Sequence, residues 1–294
     1  MTWIMMTLLA ATCQTVRTAL QKELKQHLSD SVAANSRFFF AWPFSVLYCG
    51  LIWFFQESSA LVFSTQFVIF SVVAAITQII ATWALVSALS HAQFAIAVTY
   101  SKLEPVCIAI LGVLFFSQPL EVTQWLGIAI CMLGLMVLAP RRSASIEQGK
   151  PFQAIGLGLL SAVSFAIASL SVREASWGLG GQNMWLNAAI ILVVITGIQT
   201  MISLLMLLKI GKQELQQLKK HWRTALGVSF AGFLGSVGWF TAFSLQTVAL
   251  VKVLGQIELI FSILLTRYHF REAMSAKELL GVGLIVFSVV LVLI

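Results

Sequence analysis

AVTYSKLEPVCIAILGVLFF (residues 97–116) and ALVKVLGQIELIFSILLTRY (residues 249–268) are two apolar runs interrupted by polar residues in the same way. Lys102 and Glu104 break the first, and Lys252, Gln256 and Glu258 break the second. An ion at the centre of a membrane helix costs about 2.5–3.5 kcal/mol on insertion scales, so a chain that keeps such groups twice has a use for them. Setting Glu104 on Glu258, an offset of 154, aligns much of the chain without a gap. Ala88 then falls on Ala242, Ser90 on Ser244, Gln118 on Glu272, Gly127 on Gly281 and Lys102 on Gln256. At an offset of 151, LLAATCQ (8–14) falls on LLSAVSF (159–165), and Lys22-Glu23 falls on Arg173-Glu174. The chain reads as two copies of one unit.

Composition sets the solvent. Of 294 residues, 59% are hydrophobic and 10% charged, against about 25% charged in a soluble domain. Apolar runs of about 20 residues, each long enough to cross a hydrocarbon core of about 30 Å, recur from end to end. The expected fold is all-α and polytopic, with ten spans near 3–21, 33–55, 62–89, 94–116, 121–139, 153–172, 183–208, 223–245, 247–267 and 275–294. Residues 1–140 and 153–294 form the two five-helix repeats, joined by a cytoplasmic linker at 141–152. Because five is odd, the second copy enters the bilayer from the opposite face, which makes the repeats inverted. Inverted repeats frame secondary transporters, with the substrate near the midplane where the halves meet.

The formal charge of +7 lies in short gaps between apolar runs rather than on one polar face, which argues against nucleic acid as a partner. Loops after odd-numbered spans hold Lys22, Lys25, Arg141, Arg142, Lys209, Lys219, Lys220 and Arg271 among others, whereas the opposite side holds Arg173. The positive-inside rule then makes the odd-numbered loops cytoplasmic and puts both termini outside a bacterial inner (plasma) membrane. Met1–Met6 has no positive n-region, and no small-residue cleavage site closes the first run, so that run is expected to be retained as a helix. Cys13, Cys49, Cys107 and Cys131 lie in apolar runs without C-x-x-C spacing and read as small buried hydrophobes.

Ala88-Leu89 is followed by Leu103-Glu104-Pro105-Val106, and the glutamate, an apolar helix, a short turn with Gln118 or Glu272, and a closing helix with Gly127 or Gly281 recur in both halves. This pattern resembles the EamA-type members of the drug/metabolite transporter superfamily over nearly the whole chain. The resemblance implies a ten-helix transporter with a central cavity and with helices five and ten as peripheral scaffold. Two features differ from it. The ten-helix relatives place both termini in the cytoplasm, and the four-helix drug exporters of the superfamily carry a glutamate in their first helix, where this chain has no acid before Glu23.

The candidate substrate or coupling residues are Gln14, Arg17, Trp83, Tyr100, Lys102, Glu104, Trp239, Lys252, Gln256 and Glu258. Gln14, Arg17 and Gln21 make a polar stripe on one helix face. Two residues apart on a helix, Lys102 and Glu104 point away from each other, so each needs a partner from another helix, water or a ligand. Glu104 with Lys252 or Arg17 is one such pair, while Lys102 is expected to line a cavity. Arg17 and Arg37 lie near the cytoplasmic surface, where snorkelling would also account for them. Pro105 is expected to kink its helix beside the charged residues, a feature missing where Leu259 stands in the second copy. Gly227, Ala231 and Gly235 form a small-residue stripe for close helix packing.

With Arg17, Lys102 and Lys252 set against Glu104 and Glu258, the interior would favour a carboxylate or a zwitterion over a bare cation. The expected activity is secondary active export of small amphipathic metabolites, such as amino acids or derivatives, with a buried glutamate coupling export to protons. A facilitative exchanger or channel is the rival reading. An intramembrane enzyme has no visible equipment, since neither an H-E-x-x-H nor a G-x-S-x-G motif occurs and the histidines lack metal-ligand spacing. Cofactors and metals are not expected. The expected partners are lipid bilayer, small-molecule substrate and protons, with the chain acting as monomer or homodimer.

Overall fold

The computed structural model describes residues 1–55, 62–88, 100–138, 151–181, 183–261 and 275–293. Residues 141–150 of the expected linker at 141–152, His91, His269, Arg267, Arg271 and Glu272 lie outside these residues. Every element among the described residues is helical: α1 (Thr2–Leu24), α2 (Asp30–Asn35), α3 (Ala41–Phe55), α4 (Thr65–Ala88), α5 (Glu104–Phe115), α6 (Val122–Leu138), α7 (Pro151–Gly178), α8 (Met184–Leu207), α9 (Lys212–Lys220), α10 (Trp222–Leu245), α11 (Val248–Gly255) and α12 (Ala276–Leu293). The segments Thr65–Ala88, Gln153–Gly178, Met184–Leu207 and Trp222–Leu245 are long and apolar enough to cross a membrane, and Ala41–Phe55, Glu104–Phe115 and Val122–Leu138 are shorter apolar helices.

The surface inverts the soluble pattern. Leu47, Phe54, Leu114, Leu133 and Met201 are all more than half exposed, while Arg17, Gln21, Asn35, Arg37 and Lys252 are buried. Apolar side chains outside and polar ones inside suit a lipid solvent. Trp53, Trp177 and Trp222 keep 47%, 49% and 52% of their surface exposed, in keeping with a role at the membrane interface.

The helix pairing has the symmetry read from the repeats. Helix α4 packs along α7 and α10 along α1, while α3 packs on α8 and α6 on α12. Exchanging the halves turns the first pair into the second and leaves the last two unchanged. Matching caps reinforce it. Lys25, just past α1, donates to the carbonyl of Val86 near the end of α4 at 2.6 Å. Arg173, late in α7, donates to the carbonyls of Phe243 and Gln246 at the end of α10. Cations at helix C-termini satisfy free carbonyls and the helix dipole. Arg173, the basic residue on the side whose loops otherwise carry no Lys or Arg in the sequence, therefore has a structural task.

Glycine sets the closest approach. Gly227 faces Leu20, Gly235 faces Cys13 and Gly238 faces Met6 and Ala10, so α10 runs antiparallel to α1 with small residues at the seam. A Cβ at Gly238 would lie 2.5 Å from the Met6 carbonyl oxygen, which is backbone and cannot turn aside. Gly238→Ala is accordingly expected to destabilise the α1–α10 pair by about 1–3 kcal/mol. The check is the melting temperature of the purified protein beside that of Gly156→Ala, where a Cβ would meet nothing within 4 Å. Equal melting temperatures for the two variants would refute the close approach.

Three breaks depart from the expected spans. The second span is divided: Ser29 caps α2, a turn covers residues 36–40, and α3 starts at Ala41 with Pro43 in its first turn. Backbone groups freed by this break are satisfied from the other half, the Phe38 carbonyl by Thr200 Oγ1 at 2.7 Å and the Ser36 carbonyl by Ser229 Oγ at 2.5 Å. The fourth span is interrupted at Lys102-Leu103, and α5 begins at Glu104 with Pro105 in its first turn. Pro105 thus starts a helix instead of kinking one, because its missing N–H falls where no intrahelical partner exists. The ninth span breaks at the equivalent place: α11 ends at Gly255 and Gln256 forms the turn, without any proline.

Candidate functional site

The two breaks bring the charged residues together across the halves. Lys102 Nζ lies 3.1 Å from Glu258 Oε1, and Lys252 Nζ lies 2.8 Å from Glu104 Oε1. Each glutamate therefore takes its lysine from the other repeat. All four side chains are at most 18% exposed. Lys102 and Glu104 do not pair with each other, as their spacing predicts, and Glu104 with Lys252 is one of the pairings read from the sequence. Lys102, expected to line a cavity without a local partner, has Glu258 as its counter-ion. The Lys252–Glu104 contact is an ion pair without an aligned hydrogen bond to Glu104 Oε1.

The surroundings of the two pairs differ. Gln14 of α1 donates from Nε2 to Glu258 Oε2 at 2.6 Å and accepts at Oε1 from the Trp239 indole N–H at 3.2 Å. Glu258 is thus held by Lys102 and Gln14, and its charge also acts on Arg17. Lys252 sits 4.2 Å from the Trp239 ring centroid, 5.5 Å from that of Phe243 and 6.0 Å from that of Phe165. The indole and the Phe243 ring stack at 5.7 Å. Aromatic faces stabilise a desolvated ammonium, most strongly over indole. Gly255 makes room for this arrangement, since a Cβ there would lie 2.5 Å from the Trp239 ring. Phe165 is the repeat counterpart of Gln14 at the offset of 151. One glutamate is therefore met by an amide where the symmetry-related position offers a phenyl ring to the lysine.

The remaining candidates are placed as follows. Gln256 is buried; its Nε2 donates to the Lys252 carbonyl at 3.3 Å, while its Oε1 has no partner among the described residues. Tyr100 is half-buried in the turn of helix just before the first break. Trp83 on α4 stays 41% exposed, in contrast to 6% for Trp239.

Arg17 and Arg37 depart from the snorkelling account. Their exposures are 4% and 5%, so neither reaches a polar surface. Arg37, in the α2–α3 turn, donates from Nη1 to Thr82 Oγ1 at 3.2 Å and from Nη2 to Ser236 Oγ at 3.3 Å. The hydroxyls on α4 and α10 hold the guanidinium inside. Also unanticipated are Phe165 and the amide bridge between halves, in which Gln199 Nε2 donates to Gln78 Oε1 at 2.9 Å. Their polarity is visible in the sequence, but two amides on separate apolar helices give no sign of meeting. Among the described residues no group of three or more His, Cys, Asp or Glu side chains is placed to hold a metal ion.

The chain matches the model of the EamA-like transporter family over residues 1–139 and again over 152–294. It is 47% identical over 53 residues to a Bacillus subtilis (strain 168) protein named an uncharacterized transporter, YwfM. That match covers 17% of this chain and 18% of the relative, so the chain spans under a fifth of the relative's length in it. A solved protein crystal structure superposes with a TM-score of 0.70 at 15% identity, covering 98% of this chain and 95% of that one, which shows a shared fold.

Proposed function

The chain belongs to the EamA-like transporter family of the drug/metabolite transporter superfamily, and we propose that it is a secondary active exporter of small amphipathic metabolites, such as amino acids or their derivatives. Transport runs by alternating access around the paired breaks, in ten spans arranged as two inverted repeats, 1–140 and 153–294, joined by a cytoplasmic linker. Both termini face outward from a bacterial inner membrane. The observation that carries this reading is the exchange of counter-ions: Lys102–Glu258 and Lys252–Glu104 each join one repeat to the other at a helix break. Two such ion pairs latch the halves. A carboxylate that takes up a proton releases its lysine and can no longer hold the ammonium of an amino-acid substrate, so proton and substrate compete for the same glutamate, as export driven by proton entry requires.

Proteoliposomes holding the purified protein test the proposal. Saturable counterflow of an amino acid or derivative, accelerated by an imposed pH gradient, is the expected result. Transport indifferent to the gradient would remove the coupling, and single-channel currents would replace the transporter by a channel. A reporter fused after the last helix tests orientation, with a cytoplasmic signal overturning the outward C-terminus.

A further inference from the structure

The geometry points to an oxyanion-binding site at Arg17 and Arg37, where α1, the α2–α3 turn, α4 and α10 meet, which receives the carboxylate or phosphate group of the transported metabolite. The assignment rests on reading the chain as a metabolite transporter and adds that its substrate carries net negative charge.

The first ground is charge balance. Arg17, Arg37, Lys102 and Lys252 are opposed at the centre by Glu104 and Glu258, and both glutamates are engaged by lysines. Glu258 is the acid whose charge acts on Arg17, but Lys102 and Gln14 already occupy its oxygens. Arg37 meets Thr82, Ser236 and the face of Phe38, with its guanidinium carbon 5.2 Å from the ring centroid. Hydroxyls and a ring orient a guanidinium without neutralising it. Arg17 and Arg37 are moreover near enough for their charges to repel. An uncompensated buried charge is strongly unfavourable, and no acid among the described residues is left to offset these two, so the missing negative charge is assigned to a bound ligand.

Donor geometry is the second ground. Arg17 Nε is buried and has no hydrogen-bond partner among the described residues. The guanidinium fork matches two oxygens of a carboxylate or phosphate, and two such forks can grip one oxyanion. Gly232 lets the two stems converge: a Cβ there would lie 2.9 Å from Arg37 Cγ and 3.6 Å from Arg17 Cδ. A zwitterion would leave both surplus charges in place. A dicarboxylate or a phosphate would offset them.

The experiment is thermal melting of the purified full-length protein titrated with succinate, inorganic phosphate, glycine and chloride at matched ionic strength. Saturable stabilisation by succinate or phosphate, exceeding that by glycine and chloride, is expected, weakened about tenfold or more in Arg37→Gln and Arg17→Gln for a lost charge-assisted contact. Arg37→Lys keeps the charge but loses the fork, and is expected to bind less tightly than the parent. It carries the test if Arg37→Gln fails to fold. Unchanged affinity in these variants, or no anion better than chloride (an adventitious ion only), overturns the site. Stabilisation by phosphatidylglycerol alone, without effect from either soluble anion, assigns the arginines to a lipid headgroup and overturns the substrate role. The readout is binding in micelles, so it can fail while proteoliposome transport succeeds, or the reverse.

Discussion

Lys252→Met is expected to destabilise the protein by about 3–5 kcal/mol, the usual penalty for breaking a buried ion pair from one side. The lysine is 8% exposed and its partner Glu104 14% exposed, at 2.8 Å. Methionine keeps the apolar stem out to Cε and drops only the ammonium, so the loss reports the charge, its contact with the Trp239 ring included. Most of that loss is the stranded Glu104 carboxylate rather than the pair itself. Adding Glu104→Gln should therefore recover much of it, since an amide carries no charge to strand. A double-mutant cycle on melting temperature separates the cases: strongly non-additive losses are expected for two groups in contact. Additive losses would mean that the two residues do not depend on each other.

Much of the fold was legible because the repeat left marks at matching positions. Gly127 and Gly281 were aligned by offset alone, and they lie on the two helices, α6 and α12, that pack together. The small-residue stripe on α10 faces α1 as its spacing suggests. Helix interruptions were not legible. Nothing in AANSRFFFAWPF (33–44) states that the helix stops at Asn35, because the break is held by Thr200 and Ser229 from distant helices. Pro105 was visible, but whether a proline kinks or starts a helix depends on the residues before it. Gln256 breaks its helix with no such signal.

The site divides in the same way. Ions in apolar runs are conspicuous, so Lys102, Glu104, Lys252 and Glu258 stand out as candidates, and the fold brings them together in pairs. Which lysine meets which glutamate is set by how the halves face each other, and only Glu104 with Lys252 was among the pairings considered. Arg37 was discounted because the sequence places it near a surface. Thr82 and Ser236 draw it inward, and hydroxyls are too common in membrane helices to announce that role.

Glu258→Gln is expected to reduce the initial transport rate by about two to three orders of magnitude, from about 3–4 kcal/mol of lost charge pairing in a buried site. Glutamine preserves shape and can still accept from Gln14, so positional effects stay small. Charge is what disappears: Lys102 loses its 3.1 Å counter-ion, and Arg17 loses the acid that acts on it. Glu104→Gln unbalances Lys252 alone, and the surrounding Trp239, Phe243 and Phe165 rings cushion that ammonium. Glu258→Gln should consequently be the more damaging of two substitutions at symmetry-related positions. Initial rates in proteoliposomes at equal protein incorporation give the comparison. Equal losses would mean that the halves act alike, and a greater loss for Glu104→Gln would place the essential carboxylate on the aromatic side. The predicted order follows from one replaced residue, Gln14 in one repeat against Phe165 in the other, which gives one glutamate a network and, among the described residues, leaves the other paired with its lysine alone.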